Sequence, residues 1–145
     1  MVNKYTLTLV FNQDKTKVLM VFHNKQQMYN FVGGHIEKGE SELNASYREL
    51  QEETGITAND IELTHLQTEL SLSNYDEYCW SLYITMGVLK HNVKLIKEKN
   101  RLEWVSIDDD NILLNASFGN GNCRVFMERA LKILNKENKD VLSRI

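Results

Sequence analysis

The sequence predicts an α/β fold in which a mixed sheet is covered by helices on both sides, and three observations predict it. Several runs rich in β-branched and aromatic residues fall between polar turns, as strands do. At Ser41 the apolar spacing changes from alternation to a helical repeat. A second helical repeat follows the last strand-like run, so the order is strands, helix, strands, helix. The 145 residues suit one domain, residues 1–145.

Tyr5 to Phe11 alternates in part and reads as the first strand. Asn12 to Lys15 is a polar turn, and Lys17 to Phe22 the second strand. Tyr29 to Val32 is a short third strand that ends at Gly33-Gly34, where the backbone can turn sharply or approach a ligand closely. Ser41 suits a helix N-cap, with Glu42 in the first turn at the positive end of the dipole. Leu43, Tyr47 and Leu50 recur at helical spacing, and Gly55 suits the C-terminal stop. Ile61 to Thr68 and Glu77 to Thr85 read as strands joined by a loop at Leu72 to Asp76. Arg101 to Ser106 is another strand, and a helix from near Asn122 runs through Leu134.

Bulk properties exclude several classes of function. A net charge of −3 offers no basic footprint for long nucleic acid, although a single nucleotide remains open because a metal can supply positive charge. Cys79 and Cys123 stand far apart and outside any C-x-x-C spacing, which argues against a disulfide framework or a zinc ribbon. No apolar run approaches a membrane span, and Met1 to Phe11 reads as a strand instead of a signal peptide. The expected compartment is the cytoplasm.

The chemistry gathers between Gly34 and Ile56. Glu49, Glu52 and Glu53 stand at i, i+3 and i+4, so one helix face presents three carboxylates. Glutamate is a good helix former, and an acidic string alone is most simply a solvated face. Here, however, like charges at this spacing repel, and a hard divalent cation held by their oxygens removes that cost. The surroundings also have physical roles: the Gly33-Gly34 pair lets a backbone carbonyl reach a metal, Arg48 can fork onto a carboxylate, and Gly55 ends the helix.

Gly34, Glu40, Arg48-Glu49-Leu50, Glu52-Glu53 and Gly55-Ile56 fill every specified position of G-x5-E-x7-R-E-U-x-E-E-x-G-U, with U aliphatic. In this the chain resembles the Nudix hydrolase family. The resemblance covers under a fifth of the chain and departs at Val32, where the family often has proline. It implies an α/β/α sandwich and hydrolysis of a pyrophosphate link in a nucleoside diphosphate derivative, with Mg²⁺ or Mn²⁺ as cofactor. It also implies Glu49, Glu52 and Glu53 as metal ligands with the Gly33 carbonyl. Glu49, then Glu52, is the expected base, Glu40 helps position Arg48 or a second metal, and Glu98 is a further candidate ligand.

Tyr29 to Gly34 is similar to the stretch before the motif in enzymes that clear oxidised purine nucleoside triphosphates. The similarity makes Asn30 a base contact beside Gly34, and Asn122 resembles a base-reading asparagine of MutT-type relatives. An amide offers a donor and an acceptor at once, although asparagine is also a favoured helix N-cap. Tyr29, Phe31 and Trp80 could stack on a base, and Trp104 is assigned to packing. The expected substrate is a small nucleoside triphosphate, 8-oxo-dGTP or a related dNTP. The alternatives are ADP-ribose, a nucleotide sugar or another diphosphate conjugate, and a non-catalytic nucleotide sensor. The expected partners include neither long nucleic acid nor membrane, and the expected assembly is a monomer or homodimer.

Overall fold

The computed structural model describes residues 2–24, 27–72, 79–96, 101–114 and 122–143. Its elements are β1 (Val2–Phe11), β2 (Lys17–His23), β3 (Met28–His35), α1 (Glu42–Thr54), β4 (Thr64–Leu72), β5 (Cys79–Val88), β6 (Arg101–Ser106), α2 (Asp110–Leu114) and α3 (Asn122–Ser143). The six strands form one mixed sheet in the order β4-β5-β1-β3-β2-β6. β1 runs parallel to β5 from Val2–Cys79 to Phe11–Val88, and the other pairings are antiparallel.

Strand alternation sends side chains into two cores. Leu7, Leu9 and Phe11 of β1, Val18 and Met20 of β2, and Phe31 of β3 face α2 and α3, where Leu113, Phe126 and Met127 close the layer. The intervening Val10, Leu19, Val21 and Val32 face α1 and pack on Leu50 with Ile56, Ile61 and Leu63. The expected sheet between helices is therefore present. Leu50 is wholly buried and ties α1 to the sheet. Truncating such a leucine to alanine costs about 2–5 kcal/mol, a large share of the roughly 5–15 kcal/mol that a domain holds.

The differences from the sequence reading are local. Gly33 and Gly34 do not end the third strand; both lie within β3, which continues to His35. Ile61 makes only an isolated bridge to Leu89, and the continuous strand starts at Thr64. The cause is the preceding turn, where Asp60 Oδ2 accepts from the Thr57 N–H at 2.8 Å and Asp60 N donates to Thr57 O. The short α2 was not expected; Asp109 caps it by accepting from Ile112 N at 3.2 Å. α3 extends to Ser143, past the expected end at Leu134. Trp104 is half-buried against the α1-side core. The 73–76 part of the expected loop and the side chain of Trp80 lie outside the described residues. Among the described residues, no helix is long and apolar enough to cross a membrane.

Candidate active site

The seating of α1 follows from its small residues. Its buried face is Ala45, Ser46, Leu50 and Thr54. Leu43 shares the helical spacing of Tyr47 and Leu50 but is 38% exposed. The physical reason is close approach: Ser46 Oγ hydrogen-bonds Thr6 Oγ1 of β1, and a bulky residue there would hold the helix off the sheet. Tyr47 is half-buried, and its hydroxyl accepts the Leu63 N–H at 2.9 Å. Ser41 caps the helix by accepting from Asn44 N, and Gly55 ends it at φ 82° with its N–H on Gln51 O. This seating turns Arg48, Glu49 and Glu52 toward the C-terminal end of β3.

Arg48 is the hub. Its Nε donates to Glu40 Oε2 at 2.7 Å and its Nη2 to Glu40 Oε1 at 2.9 Å, a two-pronged pair. Nη2 also donates to the His35 carbonyl at 3.0 Å. Nη1 is shared between Glu49 Oε1 at 3.0 Å and both oxygens of Glu52 at 3.3 and 3.4 Å. Glu40 further accepts the Glu37 N–H at 3.1 Å, which closes the loop between β3 and α1.

The paired glycines serve close approach on both faces of β3. Neither has a positive φ, so the sharp-turn alternative is not realised. A Cβ on Gly33 would collide with the Thr6 carbonyl. A Cβ on Gly34 would lie 2.5 and 2.6 Å from the two carboxylate oxygens of Glu49. The Glu49 carboxylate thus rests on bare strand backbone.

Electrostatics separate these carboxyls. Burial raises the Glu49 pKa above the usual glutamate value; Arg48 partly offsets this, and the charges of Glu52 and Glu53 add to the rise. The hydrogen bond from Arg48 holds Glu40 below the usual value, and the same pairing strengthens the hold of Arg48 on its proton. The side chain of Glu49 is 13% exposed and that of Glu52 54%, so the acidic face runs from a sheltered base to an open rim. Glu40, Glu49 and Glu52 share the guanidinium of Arg48, a set of acidic oxygen donors around one cation. Among the described residues, no three acidic, histidine or cysteine groups converge into a finished cage. An unfinished oxygen set still fits Mg²⁺, which keeps several waters and takes one or two carboxylates together with substrate phosphates.

The structure brings together Glu40, Arg48, Glu49, Glu52 and Gly34, with Gly33 adjacent. Asn30 stands apart. It shares the α1-facing side of β3 with Val32 and Gly34, about four strand residues or roughly 13 Å from Gly34. Its Oδ1 accepts the Phe31 N–H at 2.8 Å. Asn122 opens α3, the helix on the other side of the sheet, and its side chain lies outside the described residues, as does all of Glu98.

Sequence reasoning missed His35 and Tyr5. His35 lends Arg48 its carbonyl, while its ring meets Tyr5, with Tyr5 Oη and His35 Nε2 2.9 Å apart. Both residues face the α3 side, and the strand-like alternation of Tyr5, Leu7 and Leu9 was the available signal. A cleft of about 490 Å³ lies beside this loop, lined by Lys4, His35, Glu37, Lys38, Glu40 and Glu42 among others.

Comparison with known proteins follows the same lines. Residues 3–120 match the NUDIX domain family. An RNA pyrophosphohydrolase of Ruthia magnifica subsp. Calyptogena magnifica is 40% identical over 55 residues, 38% of this chain and 31% of that protein. The chain thus matches less than a third of that relative's length. The E. coli dihydroneopterin triphosphate pyrophosphohydrolase has a similar fold, with a TM-score of 0.72 at 17% identity, over 87% of this chain and 92% of that one. A MutT structure from Aliivibrio salmonicida or Vibrio cholerae gives 0.63 at 24% identity, over 91% and 99%. These two likenesses speak for the fold. With the match to residues 3–120 spanning most of its length, the chain belongs to the NUDIX domain family.

Proposed function

We propose that this chain, a single catalytic domain acting in the cytoplasm as a monomer or homodimer, hydrolyses a nucleoside triphosphate to the monophosphate and pyrophosphate. The proposed substrate is 8-oxo-dGTP or a related deoxynucleotide. The observation that carries the hydrolytic reading is the sheltered Glu49 carboxylate on the Gly34 backbone, oriented by an arginine that Glu40 locks in place. Isolated solvated glutamates would have no such support.

Glu49, Glu52 and Glu53, with the Gly33 carbonyl, would hold Mg²⁺ or Mn²⁺, which when bound neutralises charge on the phosphates. Glu49 is the proposed base. Burial raises its affinity for a proton, which suits it to take one from the water that attacks phosphorus. Glu52 is the second candidate. Arg48 keeps both carboxylates facing one way, so the attacking water meets a fixed acceptor.

Base recognition is assigned to Asn30 and Asn122. They start from opposite sides of the sheet, so their separate alanine variants distinguish which one meets the base. Tyr29 is half-buried against Phe22, with ring centroids 4.9 Å apart, and its hydroxyl donates to Glu103, which favours packing over base stacking for that ring.

The test is a panel of nucleoside triphosphates, 8-oxo-dGTP and ADP-ribose, each with Mg²⁺ or Mn²⁺, scored for released pyrophosphate or monophosphate. A triphosphate with 8-oxo-dGTP foremost is the expected preference. ADP-ribose hydrolysed faster than every triphosphate overturns the substrate. Saturable nucleotide binding without metal-dependent turnover overturns the enzyme.

A further inference from the structure

The last turn of α1 is built against its own electrostatics. Glu52 and Glu53 lie there, no basic residue does, and the negative end of the helix dipole repels both. Like charges at Glu49 add to the strain by their i, i+3 and i+4 spacing. Arg48, one turn earlier, offsets part of this by pairing with Glu52 at 3.3 Å, and the end of the helix is also held from outside.

The holder comes from the segment after β5. The Ile96 N–H donates to Thr54 O, the carbonyl that ends α1, at 2.9 Å. The Ile96 side chain lies over Gly55, where a Cβ would sit 2.8 and 2.9 Å from Ile96 Cδ1 and Cγ1. Ile96 is 50% exposed, so it seals the helix end from the surface of the protein. Inside the helix end, Thr54 Oγ1 donates to Leu50 O and accepts from Ile56 N.

We propose that Ile96 is a positioning residue, a latch that keeps the Glu52–Glu53 turn wound before a divalent cation arrives. The inference rests on the metal-binding reading above. A cation and the latch then stabilise the same turn, one by neutralising its charges and the other by closing its end. A protein with the latch in place binds the cation without first ordering the turn. Loss of the latch makes that ordering part of the binding equilibrium, and apparent affinity falls by the fraction of molecules already wound. A purely structural contact would lower stability equally with and without metal.

The test compares the wild-type chain with Ile96→Ala and the conservative Ile96→Val, with Val125→Ala as an exposed apolar control on α3. Mg²⁺ is titrated directly by calorimetry, and amide exchange of residues 52–56 is followed with and without Mg²⁺. The expected result is a Mg²⁺ dissociation constant about 3- to 10-fold higher for Ile96→Ala, a smaller rise of about twofold for Ile96→Val, which loses only Cδ1, and no rise for Val125→Ala. Exchange in the last turn should quicken in metal-free Ile96→Ala and recover when Mg²⁺ is added. Should Ile96→Ala not fold, Ile96→Val is read on the same two measurements, and a rise of Mg²⁺ dissociation constant beyond the Val125→Ala value decides for the latch. Unchanged Mg²⁺ affinity, or exchange that stays fast at saturating Mg²⁺, overturns the latch while leaving the metal site standing. A wild-type chain that binds no Mg²⁺ overturns both.

Discussion

Arg48 grips Glu40 with two nitrogens, Nε on Oε2 at 2.7 Å and Nη2 on Oε1 at 2.9 Å, across eight residues of sequence. Glu40 sits in the loop and Arg48 on the helix, so the pair fixes the helix face relative to β3. A glutamine at position 40 keeps the shape but loses the charge and one acceptor. Glu40→Gln should therefore lower kcat about 10- to 100-fold, since hydrogen bonds to charged groups contribute roughly 1.5–3 kcal/mol. Its KM should change little. Steady-state kinetics decide, and wild-type kcat would remove Glu40 from the positioning role.

Glu53→Gln tests the proposed metal set directly. The amide is isosteric and suits a helix, so circular dichroism and Tm should match wild type. Metal-dependent turnover should vanish. Retention of more than about a tenth of the rate contradicts a liganding role, because positioned catalytic groups contribute at least about 10²-fold.

Gly34→Ala introduces a methyl group where the Glu49 carboxylate now rests. The strand φ is ordinary there, so the backbone itself tolerates alanine. The carboxylate must move instead, and a displacement of about 1 Å at a reacting group can cost around 10²-fold. The expected variant is folded by circular dichroism and at least about 100-fold slower. A folded variant of near-normal rate would show that the seat of Glu49 on the strand is unimportant.

Acid stability has a separate local source at Asp60. Its carboxylate accepts the Thr57 N–H and lies 2.6 Å from His91 Nε2, and these bonds hold its pKa below the ordinary 3.8. A depressed folded pKa stabilises the protein fully above the unfolded value. That contribution fades as pH falls below about 3.8 and is gone below the folded pKa. The Tm gap between wild type and Asp60→Asn should accordingly narrow through this window. A gap independent of pH down to pH 2 would mean that ionised Asp60 adds nothing.

What the sequence made legible was mostly local in origin. Ser41 and Gly55 bounded α1 because caps are chosen by neighbouring backbone, and both ends stand where expected. The Arg48 fork was also foreseen as chemistry, but not its bond to the His35 carbonyl, since that atom belongs to a strand 13 residues earlier that helix spacing does not reveal. Leu43 is exposed for a related reason. Its helical period was right, yet the phase was set by Ser46 meeting Thr6 across the sheet, a contact that no helix periodicity contains. Gly33-Gly34 offered two meanings, and only tertiary packing chose close approach over a turn. The placement of Asn30 and Asn122 on different sides of the sheet likewise depends on strand pairing with Val21 and on where α3 packs.

The ten-residue parallel register between β1 and β5 has a consequence for biosynthesis. Residues 2–11 leave the ribosome well before residues 79–88, so the middle of the sheet cannot zip until most of the chain has been made. The hairpin contacts of β1, β2 and β3 can assemble early, but the far edge of β1 stays unsatisfied meanwhile. Pairings so distant in sequence slow folding and leave strand edges open to neighbouring nascent chains. Release of the polypeptide beyond residue 88 is therefore the step at which aggregation risk should fall.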